Sequence, residues 1–166
     1  MATFKTEGLD KYVAQLERLG KKTDTVISEA VYEMAKVVAD EVKANLIALP
    51  SVPDTEGLKA FASKPQQKIP ITKAQKWGLV HSFGIASLRN EGGFIHVKIG
   101  FDGYNEVQTK TFPKGQPNAL IARSIESGSS TREKTPFLRP ALAAARKQAI
   151  EAARVKFDEA IHDTFE

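Results

Sequence analysis

Cysteine is absent from the 166 residues, and with it go disulfide staples, thiolate metal sites and cysteine nucleophiles. Long apolar runs are missing as well. No stretch approaches the roughly 20 consecutive apolar residues of a membrane-spanning helix, and the opening MATFKTEGLDKYV lacks the apolar centre of a secretion signal. A soluble chain made in the cytosol is the expectation. Histidine is scarce: His81, His96 and His162 are the whole supply, and no carboxylates accompany them at metal-ligand spacing. Ser82 and Ser129 stand in no Gly-x-Ser-x-Gly elbow. GFDG lacks the Gly-Lys-Ser/Thr ending of a phosphate-binding loop. Glu29, Glu33, Asp40 and Glu41 fall on the polar side of a helical stripe and read as solvated. With no nucleophile, base and electrophile acting as a set, the expectation is no enzyme, no catalytic residues, no cofactor and no metal.

What is there is one domain's worth of chain, long enough to bury about two thirds of the surface its unfolded form exposes. The net charge is +4, and its distribution is uneven. Both terminal parts are near neutral, whereas residues 50–90 and 110–139 each hold six Lys/Arg against two Asp/Glu. The basic excess sits in connecting segments, as solvated loops or as an electrostatic contact with nucleic acid or an acidic partner.

Hydrophobic periodicity orders the rest. Leu9, Tyr12, Val13, Leu16 and Leu19 predict a short amphipathic helix ended by Gly20. From a cap at Asp24 or Thr25, the recurrence of Ile27, Val31, Met34, Val38, Val42, Leu46 and Leu49 predicts a long helix over about 24–49, stopped by Pro50. Residues 50–77, rich in proline and lysine, read as an extended arm with a helical turn near Leu58 to Ala62. The period then changes to two: GLVHSFGIASL and GFIHVKIGF, with Asn90 to Gly93 between them, predict an antiparallel hairpin over about 79–101, its core face being Ile95, Val97, Ile99 and Phe101. A short helix over about 118–127 follows, then a C-terminal helix over about 138–162 with Leu142, Ala145, Ala149, Ala153, Phe157 and Ile161 at helical steps. The class is α+β, a small antiparallel sheet packed with helices in a single domain over 1–166.

The stretch ARSIESGSSTREKTPFLRPAL, residues 122–142, gathers serines with Arg132, Lys134 and Arg139, and so invites an active-site reading. Its positions argue for a joint instead. Gly128 ends one helix as a left-handed cap, Pro140 falls in the first turn of the next, Phe137 anchors that helix on the sheet, and Glu126 with Arg139 are placed to pair.

NALIARSIESGSS followed by PFLRPAL ahead of an alanine-rich charged helix resembles the tail-completion, or head-to-tail joining, proteins of long-tailed bacteriophages and prophages. Glu126, Gly128, Ser129, Pro136, Phe137, Leu138, Arg139, Pro140 and Ala141 occupy the positions of that family's motif. GLDKYVAQLERLGKK and GLVHSFGI look like its opening and its start-of-sheet segment. The likeness covers most of the chain except the arm. It implies a structural virion protein in the neck: a hexameric ring at the head-proximal end of the tail, made in the host bacterial cytoplasm. The partners it implies are the tail terminator or tail-tube protein, a head-completion or connector protein, and DNA in the lumen. The motif residues then serve as joint and interface, and Lys59, Lys64, Lys68, Lys73 and Lys76 of the arm as an electrostatic contact. A tail-terminator ring is the alternative within that class, and a small basic DNA-binding protein the alternative outside it.

Overall fold

Helix α1 runs unbroken from Leu9 to Ala48 in the computed structural model, which describes residues 9–55, 68–106, 108 and 111–165. The break expected at Gly20 does not occur. A mid-helix glycine costs only about 1 kcal/mol against alanine, and the hydroxyls on either side of the expected cap positions bond back within the helix. Thr23 Oγ1 donates to the Leu19 carbonyl at 3.0 Å and Ser28 Oγ to that of Asp24 at 2.6 Å. The Asp24 carboxylate, one of the two expected caps with Thr25, accepts instead from Asn90 Nδ2 at 3.1 Å.

After α1 the chain forms β1 (Ser51–Val52), which pairs in parallel with β2 (Ile71–Thr72). The excursion expected over 50–77 is therefore shorter. Its entry and its exit are paired, and α2 (Lys73–Ser82) follows at once. The helical turn expected near Leu58 to Ala62 lies outside the described residues.

Helix α2 also corrects the start of the expected hairpin, because residues 79–82 are its last turn and Leu79 is fully buried. Its origin is a capping box: Gln75 N–H donates to Thr72 Oγ1 at 3.3 Å, and Gln75 Oε1 accepts from the Thr72 N–H at 3.4 Å. Asp54 adds a third bond from outside, accepting from Ala74 N–H at 2.9 Å.

The hairpin proper is β3 (Phe83–Ile85), β4 (Arg89–Glu91), β5 (Phe94–His96) and β6 (Ile99–Phe101). β3 is antiparallel to β6, with Phe83 opposite Phe101. β4 is antiparallel to β5, with Arg89 opposite His96. Three residues leave β3 for β4 where only two connect β5 to β6, so an extra residue divides the ladder as a bulge does. Gly92 and Gly93 turn the chain at φ 63° and 90°, a conformation that requires glycine. Ile95 is buried and Phe94 is exposed, as the alternation predicts.

Two helices complete the chain: α3 (Asn118–Ser127) and α4 (Leu138–Phe165). Helices α1 and α4 share the largest contact of the fold and run antiparallel. Asn45 Nδ2, late in α1, donates to the Phe137 carbonyl at the head of α4 at 3.3 Å. Further along, Lys156 bonds Glu159 and also feels Glu33 and Glu29 of α1, which together raise its pKa. Ala141, Ala145, Ala149 and Ala153 are the buried residues of α4, so small side chains let the two backbones approach. The alanines of the expected stripe are therefore inward, but its Leu142, Phe157 and Ile161 are exposed. Val42, Leu46, Leu49, Leu79, Ile121, Ile125 and Phe137 form the core, with Phe83, Phe101 and Leu138 packed on it. The chain is α+β. No described helix is long and apolar enough to cross a membrane.

Candidate functional site: the joint between α3 and α4

Helix α4 begins without a local cap. Its first N–H groups have no intrahelical acceptor, and the acceptor comes from the preceding helix. Glu126 Oε2 accepts from the N–H of Phe137 and of Leu138, each at 2.8 Å, and Oε1 accepts from the N–H of Arg139 at 3.1 Å. Pro140 comes next and has no N–H to satisfy. One carboxylate and one proline thus account for the whole first turn.

The electrostatics follow from that geometry. Glu126 is buried, 7% exposed. Burial pushes its pKa up, but the N–H groups of Leu138, Phe137 and Arg139, helped by the Arg139 charge, outweigh burial and hold it below the ordinary glutamate value. The positive end of the α4 dipole points at the same carboxylate. The expected pair with Arg139 is present but secondary, since Arg139 Nε lies 3.8 Å from Oε1 and its side chain is 75% exposed.

Between the helices the chain turns sharply. Gly128 has φ 75° and ψ 168°. It takes positive φ as expected, but in the extended region reserved for glycine rather than in the left-handed helical one. A Cβ there would stand 3.1 Å from Lys134 Cβ and 3.3 Å from Lys134 N. Ser129 N–H donates to the Arg132 carbonyl at 3.0 Å, and Ser129 Oγ accepts from Thr131 N–H at 3.3 Å. Of the hydroxyls that suggested chemistry, Ser129 and Thr131 close a turn and Ser124 Oγ donates to the Ile121 carbonyl at 2.7 Å. Pro136 is exposed, Leu138 half-buried, and Phe137 1% exposed. The Phe137 ring meets Phe101 edge-on at 6.1 Å, and Phe101 in turn meets Phe83 at 5.1 Å. The last helix is anchored on the hairpin through these rings.

The joint also holds α2, which the sequence did not suggest. Arg132 Nη2 donates to Gln75 Oε1 at 3.0 Å, the same oxygen that serves the capping box. Ile69 N–H donates to the Thr131 carbonyl at 2.9 Å. Arg132 is half-buried, its Nη1 has no hydrogen-bond partner among the described residues, and burial lowers its pKa. A cavity of about 190 Å³ beside it has Leu49, Val52, Ile69 and Ile125 among its lining residues. The Thr72-Lys73-Ala74-Gln75 spacing was the available signal for this network; Arg132 and Asp54 have none, because their partners are distant in sequence.

The remaining sequence-predicted residues are not gathered here. Lys59 and Lys64 lie outside the described residues. Lys68 and Lys73 are exposed. Lys76 is engaged, its Nζ donating to the Leu49 carbonyl at the end of α1 at 2.7 Å. His81 Nδ1 bonds the Trp77 carbonyl at 2.8 Å and its ring stacks on Trp77, whereas His96 lies in β5 beside Phe94. Among the described residues no cluster of His, Asp and Glu is arranged to hold a metal ion. The joint can fix two helices, a hairpin and a helix start relative to one another. Compared with family models, curated proteins and solved structures, the chain has no match.

Proposed function

We propose that the chain is a structural subunit of the neck of a long-tailed bacteriophage, forming a hexameric ring at the head-proximal end of the tail, completing the tail and joining it to the head connector. One observation carries the reading. The two sequence elements behind the resemblance, Glu-Ser-Gly-Ser and Pro-Phe-Leu-Arg-Pro, are a single capped joint, the acid of the first bonded to three consecutive N–H groups of the second. A motif whose halves are one structural device supports architectural work, with Ser129 taken up in the turn and Arg132 by Gln75 of α2. Lys76, spent on a helix carbonyl, weighs against the DNA-binding alternative.

Electron microscopy of purified tails carrying a tagged version of the chain tests this. The expected result is label in a ring at the head-proximal end and, in a deletion, tails of normal length that fail to join heads. Tails of uncontrolled length would assign the chain to the terminator instead, and label elsewhere or absent from virions would overturn the reading.

A further inference from the structure

Two apolar patches remain uncovered on the helical pair, and they cannot cover each other within one chain. The first is on α4. A little more than a quarter-turn from its buried alanines, Leu142, Ile150, Phe157 and Ile161 are 52%, 53%, 39% and 45% exposed. They form a stripe roughly 28 Å long at 1.5 Å per residue. Arg146 stands in it, one turn from both Leu142 and Ile150, and pairs with no acid among the described residues.

The second patch is at the start of α1. Helix α1 has 40 residues and α4 has 28. The pair is fixed at the other end, where Asn45 meets Phe137, so α1 projects roughly 12 Å past the last turn of α4. Val13 and Leu16 lie on that projection, 46% and 50% exposed, two heptads ahead of Ile27 and Ala30. They continue into solvent the face that α1 buries further along. Glu17 borders them, next to Arg18, whereas Lys147 and Arg154 border the α4 stripe, Arg154 being paired with Asp158 at 3.7 Å, which leaves Arg146 as the stripe's central cation.

We infer that these patches are the two halves of one interface between copies of this chain, the projecting start of α1 from one copy lying on the α4 stripe of the next. A straight helix carries its own projection away from its own stripe, so the halves meet only between molecules. The charges are complementary, acid beside Val13 and Leu16 against arginine within the stripe. Six half-exposed side chains offer on the order of 500 Å² of apolar surface. With a polar rim that reaches about 1,000 Å², the lower end of a specific interface. Made once between each pair of copies, the contact is heterologous and leaves each copy with a free half, so it repeats, closing into a ring where the rotation from copy to copy returns on itself. The neck reading needs such a contact, and the inference names its surfaces.

Leu16→Glu and Ile150→Glu spoil one half each, and sedimentation velocity over a concentration series reads the outcome. Wild type is expected to associate beyond a dimer, and each variant alone to be monomeric. An equimolar mixture is expected to stop at a one-to-one dimer, because it retains one intact junction. Either variant associating as wild type does, a mixture that stays monomeric, or a wild-type chain that is monomeric throughout would overturn the inference. Val13→Lys and Phe157→Lys replace any variant that loses the wild-type helical circular dichroism. Assembly through these patches by a chain absent from virions would defeat the neck reading alone; a chain found in the neck whose variants fail the mixing test would defeat this inference alone.

Discussion

The Glu126 carboxylate lies 2.8 Å from the backbone nitrogen of Phe137, eleven residues further on, and caps a helix to which it does not belong. The start of α4 is therefore only as stable as the end of α3. Glu126→Ala would leave three N–H groups without an acceptor in a largely buried site, at an expected cost of about 3–5 kcal/mol. Urea denaturation checks it. Glu126→Gln, keeping the shape and losing the charge, should fall between.

The same carboxylate sets an acid limit. Its pKa is below the ordinary glutamate value in the folded chain, so the unfolded chain takes up its proton first as the pH falls. The stabilisation is complete above the ordinary glutamate range and drains away as the pH drops through that range towards the folded value. Asp54, whose pKa is also lowered, chiefly by the Ala74 N–H and the Thr72 side chain, acts with the same sign. Stability measured against pH should fall less steeply on the acid side in Glu126→Gln than in wild type.

Arg139 should matter far less than its partner. Its guanidinium is mostly exposed, and Arg139→Ala is expected to cost under about 1 kcal/mol. A double-mutant cycle of Glu126→Ala with Arg139→Ala should return a coupling of similar small size. A large coupling would make the ion pair, rather than the backbone cap, the principal contact.

Phe137→Ala should cost about 3–5 kcal/mol with an unchanged denaturant slope, since the ring fills the core between Phe101 and α3. Unchanged thermal stability would contradict its placement.

One substitution should have opposite signs at two glycines. Gly20 lies in the exposed middle of α1 with nothing within 4 Å of a new Cβ, so Gly20→Ala is expected to stabilise by about 1 kcal/mol. At Gly128, positive φ and the approach of Lys134 make Gly128→Ala destabilising by about 2 kcal/mol. Thermal melting of the two variants side by side reads both.

What the sequence determined by itself was whatever depends on neighbours along the chain. The periodicity from Ile27 to Leu49, the alternation around Ile95, the boundaries of α3 and the proline in the first turn of α4 were all legible, because period and cap chemistry are local. The absence of cysteine excluded thiol chemistry outright. Three things were decided only in the folded chain. Gly20 failed to break α1, because a mid-helix glycine costs only about 1 kcal/mol and the packed face further along α1 carries the helix across it. Residues 79–82 became helix rather than strand, because Thr72, Gln75 and Asp54 together start α2, and Asp54 comes from the far side of the excursion. On α4 the alanines of the expected stripe are inward as read, but its Leu142, Phe157 and Ile161 are outside with Ile150, because the approach of a second helix, and not hydrophobicity alone, chooses which face of a long helix is buried.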